Sequence, residues 1–201
     1  MIQLSILIPT VPERDKIFSA LADELMDQVL RVFTDHGMLG KAEILKDDRP
    51  LFLNGGPSIG AKRGSLVKRA LGKYLCFLDD DEEVSPNYVE TLLRLCLQDQ
   101  DVCTFRAMAK LQNFWALIDM RLMYKVNDQI NPDYTVRRPP WHICPVRSAY
   151  AKSFEFKDIN NAEDFEWMER VLSLCTSEAH TDQILFCYNH GPHSEADKIP
   201  I

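Results

Sequence analysis

Five acids stand in a row at Asp79-Asp80-Asp81-Glu82-Glu83, directly after the apolar run Tyr74 to Leu78. Carboxylates crowded at the end of a strand repel one another unless a cation neutralises them. Their hard oxygens suit Mg²⁺ or Mn²⁺ bridging phosphates, so Asp79, Asp80 and Asp81 are candidates for a metal-phosphate site. A solvated acidic turn that favours the start of the next helix reads the same residues equally well. A second cluster, Gly60-Ala61-Lys62-Arg63, opens a helical stretch. The N–H groups of a helix start attract phosphate, and Arg63 can offer a diphosphate a bidentate contact. Lys62, Lys68 and Arg69 lie in the same stretch, and a solvated basic face is the plainer explanation of it. His190 and His193 flank Gly191-Pro192 near the C-terminus. A neutral imidazole there could complete a metal shell, with His193 the better candidate, although loop histidines are more often solvated.

The elements that would position these groups follow from the apolar pattern. Leu4 to Ile8 reads as a buried strand ended by Pro9-Thr10, and Ala42 to Leu45 as a second, closed by Asp47-Asp48-Arg49-Pro50. Tyr74 to Leu78 is a third and Val102 to Arg106 a fourth. Between them Ile17, Leu21, Leu25, Val29 and Val32 recur at helical spacing up to Gly37, and a helix is expected from Gly60 to Leu71, stopped by Gly72. Another is expected from Ser85 as cap with Pro86 in its first turn. Strands alternating with helices predict an α/β fold with a parallel, doubly wound sheet. In such a sheet ligands bind beyond the carboxyl ends of the strands, which is where Pro9-Thr10, Asp47-Asp48 and Asp79-Asp80-Asp81 fall. Further on, the spacing predicts a helix through Trp115, Ile118, Leu122 and Met123. It also predicts a strand over Trp141 to Val146, a helix after Glu163-Asp164 and a strand over Ile184 to Tyr188. Trp141 and His142 read as core and edge residues.

With 201 residues, 46% hydrophobic and 26% charged, the chain can bury a full core as one domain, and a net charge of −7 argues against a wholly nucleic-acid-binding surface. The six scattered cysteines read as reduced core thiols, and no apolar stretch approaches the ~20 residues of a membrane span. No basic leader precedes the first strand. A cytoplasmic location is expected.

Four blocks of the sequence resemble the family-2 glycosyltransferases of the GT-A fold. Ser5-Ile6-Leu7-Ile8-Pro9-Thr10 is similar to the family's opening strand and nucleotide-contacting turn. Ile59 to Gly64, followed by Ala70 to Asp81, is similar to the block ending in the Asp-x-Asp motif. Asn161-Ala162-Glu163-Asp164-Phe165-Glu166 with Arg170 resembles the Glu-Asp block, and Tyr188 to Ser194 the closing strand and His-Ser turn. Gly64 departs from a frequent asparagine, and Asp47-Asp48-Arg49-Pro50 from the usual Asp-Gly-Ser.

The resemblance implies a single GT-A catalytic domain over 1–201, with a nucleotide-sugar-binding half at 1–105 and an acceptor and catalytic-base half at 106–201. It implies a Mn²⁺- or Mg²⁺-dependent transferase taking a nucleotide-diphospho-sugar, expected to be a UDP-sugar, with inversion. Donor contacts would come from Pro9, Thr10, Arg14, Asp47, Asp48, Gly60, Arg63, Asp79 and Asp80. Asp79 would touch the ribose, and Asp81 would ligate the metal with Asp79 and His193. Asp164 would be the general base, with Glu163 as second choice. A nucleotidyltransferase on a similar sheet and a non-catalytic nucleotide-sugar-binding module are the alternatives. From Arg106 to Lys152 eight basic and three acidic residues give +5, leaving −12 for the rest, and Phe114, Trp115, Tyr124, Tyr134 and Trp141 lie among them. Two readings of this segment stay open. It either receives an anionic acceptor, such as hydroxylated DNA or an anionic glycan, or it is a solvated face paired with the acidic remainder.

Overall fold

The structure, a computed structural model, describes residues 1–36, 41–51, 56–111, 114–125, 131 and 133–189. In its sheet β1 (Leu4–Pro9), whose six residues are all buried, lies second from one edge. It pairs in parallel with β2 (Ala42–Asp47) on one side and β3 (Tyr74–Phe77) on the other. Strands covered on both faces need continuous apolar sequence, and Leu-Ser-Ile-Leu-Ile and Tyr-Leu-Cys-Phe supply it. The registers Pro9↔Asp47 and Leu7↔Phe77 bring all three carboxyl ends to one edge.

The sheet continues through β8 (Val146–Arg147) to β5 (Val102–Leu111), β6 (Phe114–Met120) and β7 (Thr135–Arg138), while β4 (Glu83–Val84) and β5 both pair with the long β9 (Glu178–Asn189). β8 is antiparallel to β3 and β5, and β9 is parallel to β5. The α/β architecture with a parallel central set is as the apolar pattern predicts. Antiparallel strands are added on the C-terminal side. Helices α1 (Asp15–His36), α2 (Ile59–Arg69), α3 (Tyr88–Cys96), α4 (Ser148–Ala151) and α5 (Glu163–Leu172) complete it.

Three element assignments differ from expectation. The Trp115–Met123 segment is not helical. Residues 114–120 form β6, a hairpin partner of β5 with Arg106↔Asp119 to Leu111↔Phe114 in register. Ala116, Ile118 and Met120 are buried at period two, and that alternation, not the helical spacing of Trp115, Ile118 and Leu122, faces the core. Trp141 to Pro145 is a turn, closed by Cys144 N–H donating to Trp141 O at 2.8 Å, and only Val146–Arg147 is strand. Pro139, Pro140 and Pro145 withhold the donors that a longer strand would need. Finally, α3 begins at Tyr88, since Ser85 to Asn87 form a turn in which Tyr88 N–H donates to Ser85 O. Its cap comes from a distance: buried Gln28 of α1 accepts from Val89 N–H at 3.0 Å and donates to Ser85 O at 2.9 Å.

Candidate active site

The three strand ends are laced together before any ligand arrives. Thr10 N–H donates to Asp47 O at 3.0 Å, and Thr10 Oγ1 donates to Asp80 Oδ2 at 2.5 Å. Lys62, fully buried, extends from α2 to donate from Nζ to the carbonyls of Thr10 and Arg49. Burial lowers the Lys62 ammonium pKa below its ordinary value, against the opposing pull of Asp47. Asp47 is itself buried and ion-paired with Arg49 at 2.5 Å. Sequence reasoning placed Lys62 on a solvated face. The structure makes it an internal strut between the turns after β1 and β2.

Among the acids, Asp80 is buried and engaged by Thr10 and by Arg14 Nη2 at 2.9 Å. Burial raises its pKa, partly offset by Thr10 and Arg14. Arg14 also holds Asp81 at 2.5 Å. Asp79 and Asp81 are the partly exposed members, with side chains 38% and 53% accessible. Among the described residues no three His, Cys, Asp or Glu side chains converge on a metal position. The donor set on offer is therefore Asp79 and Asp81. Hard carboxylate oxygens of this kind suit Mg²⁺ or Mn²⁺, which commonly takes one or two carboxylates together with substrate phosphates. His190 and His193 lie outside the described residues.

Arg63 joins this acidic edge to α5. Its buried guanidinium lies over the Phe77 ring, 5.4 Å from the centroid, and reaches Asp79 Oδ1 at 3.0 Å, Glu163 Oε1 at 2.8 Å and Asp164 Oδ2 at 3.4 Å. On the other side of Asp164 stands His142, with Nδ1 2.7 Å from the same Oδ2 and Nε2 4.0 Å from Asp79 Oδ2. Ala162 precedes the two acids at φ 58°, in the left-handed region, where an L-residue is strained by roughly 1–2 kcal/mol. That turn starts α5 with Glu163 and Asp164 in its first turn, where the helix dipole favours negative charge.

The two neighbouring carboxyls are driven apart. Burial is the largest influence on each. It pushes Glu163 up past what Arg63 can offset. For Asp164 the His142 ring and Arg63 outweigh burial and hold the carboxyl far below its usual range.

Other expected contacts are used differently. The first amides of α2 are spent within the protein: Ile59 N–H on Asn160 Oδ1, Gly60 N–H on Ile159 O, and Ala61 N–H on the Ser58 Oγ cap, all between 2.9 and 3.1 Å. A Cβ on Gly60 would lie 2.0 Å from Lys157 O, so this glycine serves the close approach of α2 to the 157–160 loop. Asp48 is exposed and pairs with Lys46 at 3.0 Å. Pro9 ends β1 beside Asp47.

Several arginines of the basic segment pair with acids elsewhere in the chain. Arg106 pairs with Asp182 at 2.9 Å, Arg121 with Glu178 at 3.3 Å, and Arg147 with Asp99 and Asp101 at 2.9 and 3.1 Å. Arg138 stacks on Trp141 at 4.0 Å.

Residues 54–159 match the model of the family described as Glycosyl transferase family 2. No curated protein sequence matches the chain. Among solved structures it is similar to Staphylococcus aureus TarS residues 1–349 in complex with UDP-GlcNAc. The TM-score is 0.65 at 12% identity, covering 100% of this chain and 62% of that one. It is also similar to the same TarS region in complex with UDP, with TM-score 0.62, 16% identity, and 95% and 61% coverage. At such identity the likeness is one of fold, and the chain spans about three-fifths of the TarS length compared. Among the described residues no helix is long and apolar enough to cross a membrane.

Proposed function

The chain belongs to glycosyl transferase family 2, and from that premise we propose that it moves a sugar from a nucleotide-diphospho-sugar, in our reading a UDP-sugar, to an acceptor hydroxyl with inversion. The observation that carries this is the buried Arg63, which ties Asp79 at the donor edge to Glu163 and Asp164 in a single cluster. TarS, of the same fold, binds UDP-GlcNAc and UDP in its complexes.

Asp164 is the general base. Its side chain is 20% exposed and within reach of an acceptor hydroxyl, whereas Glu163 is 5% exposed and held in its ion pair with Arg63. The acceptor hydroxyl gives its proton to Asp164 as its oxygen attacks the anomeric carbon. The bond from that carbon to the diphosphate oxygen breaks on the opposite face, and nucleoside diphosphate leaves. Asp79 and Asp81 would hold Mn²⁺ or Mg²⁺, whose chemistry is to neutralise charge growing on the leaving diphosphate. For Asp81 this requires Arg14 to yield its 2.5 Å contact. Thr10 and Asp80 shape the floor of the nucleotide edge.

The test is a panel of nucleotide-sugars with and without Mn²⁺, read by thermal shift and by slow donor hydrolysis. A UDP-sugar should raise the melting temperature in the presence of metal, and Asp81→Ala should remove that effect. Undiminished metal-dependent stabilisation in Asp81→Ala would overturn the metal assignment, and no response to any nucleotide-sugar would overturn the donor class.

A further inference from the structure

His142 drew no functional expectation from the sequence, yet its ring lies between the two acids that serve donor and acceptor. It is buried, 6% exposed, with Nδ1 2.7 Å from Asp164 Oδ2 and Nε2 4.0 Å from Asp79 Oδ2. The fold fixes it there by three contacts. Phe77 N–H donates to His142 O at 2.9 Å, so the ring is registered to β3, the strand that delivers Asp79 two residues later. The imidazole also stands edge-on to Phe77, with centroids 6.3 Å apart, on the ring that carries the Arg63 guanidinium. Trp141 meets it on a third side at 5.7 Å. Arg63 and His142 thus flank Asp164 from a common base, and both of their contacts fall on one oxygen, Oδ2.

We infer that His142 is a positioning residue for the general base: with Arg63 it anchors Asp164 Oδ2, so that Oδ1 is the oxygen that receives the acceptor proton. The inference rests on the transferase reading given above. In the step itself the acceptor O–H bond breaks, its proton passes to Oδ1, and the acceptor oxygen bonds to the anomeric carbon as the diphosphate departs. His142 takes no proton. Its part is geometric, since a carboxylate free to swing by about 1 Å can lose on the order of 10²-fold in rate.

The test is a double-mutant cycle. His142→Phe and His142→Gln are made in the wild-type chain and in Asp164→Asn, and kcat, donor KM and UDP affinity are measured for each. Removing the anchor should lower kcat by roughly 10- to 100-fold, with UDP affinity and donor KM within about twofold. His142→Gln, whose amide can still donate to a carboxylate, should keep more activity than His142→Phe. In Asp164→Asn the His142 changes should cost nothing further, because there is no longer a base to aim. Full kcat in His142→Phe overturns the inference, as does an equal fold-loss in both backgrounds, which marks a merely structural role. Wild-type turnover separates the two levels: if the wild type transfers sugar but the cycle is additive, this inference alone fails, whereas absence of transfer by the wild type overturns the function reading beneath it.

Discussion

Arg63 and Glu163, 100 residues apart in the chain, form a 2.8 Å ion pair with both side chains at least nine-tenths buried. Each is the other's licence to be buried. Arg63→Ala leaves buried Glu163 beside Asp164 without its counter-ion, and breaking such a pair from one side typically costs about 3–5 kcal/mol. A large fall in melting temperature is expected. Arg63→Lys should recover part of the stability but bind UDP-sugar more weakly, because a single ammonium cannot span Asp79, Glu163 and Asp164 together. Melting curves and donor titrations on the two variants check this.

Asp164 and Glu163 should separate cleanly in kinetics. Asp164→Asn keeps the shape and removes the base, so transfer should fall by about 10²- to 10⁴-fold with donor affinity retained. Glu163→Gln should reduce kcat by less than about tenfold, the milder result expected of a positioning contact rather than a base. Steady-state kcat and donor KM for both variants decide it, and the reverse order would move the base to Glu163.

Two glycines of α2 make a structural contrast. Gly60→Ala puts a Cβ 2.0 Å from the Lys157 carbonyl oxygen, a backbone clash that should destabilise by at least about 1–3 kcal/mol. Gly64→Ala meets nothing closer than Phe156 Cβ at 3.7 Å, and it should raise stability by up to about 1 kcal/mol through helix propensity. Thermal melts of the two single variants should move in opposite directions.

Acid stability should depend on Asp101. Burial works against its charge, but Thr176, Arg147 and Ser177 bind the carboxylate and lower its pKa from 3.8 to about 2. A depressed folded-state value means that this stabilisation is complete above the unfolded value near 3.8 and is lost as pH falls through about 2. The shift corresponds to about 2 kcal/mol. Asp101→Asn should therefore melt lower at pH 7 and lose less further stability than the wild type between pH 4 and pH 2, as denaturant titrations along that range would show.

How much of this was legible beforehand depended on the kind of signal. β1, β3, α1 and α5 were readable because each rests on its own local apolar pattern, bounded by proline, glycine or acid clusters. β6 was misread because Trp115, Ile118 and Leu122 mimic a helical stripe, while the alternation that matters runs through Ala116, where a small side chain gives a weak signal. Asp79 to Asp81 and Glu163-Asp164 were visible as clusters in the chain. His142 and Lys62 were not, since their significance comes from partners tens of residues away: His142 acquires one through Asp164, and Lys62 through the carbonyls of Thr10 and Arg49. The Gly60 amide was read as a phosphate donor on the general rule for helix starts, and only the tertiary contact to Ile159 reveals that it is already engaged.

The placement of β8 has a mechanical consequence. This two-residue strand pairs with β3 through Tyr74 and Leu75 on one side and with β5 through Val102 on the other, so the parallel set β2, β1 and β3 and the strands from β5 onward share one continuous backbone ladder. Nothing in that ladder offers a hinge at residue 105, and the chain should not come apart there into two self-sufficient fragments. Strain applied at one edge would be transmitted along the strands to the other, and amide protons on β3, β5 and β8 would be expected to exchange together, as a single opening event.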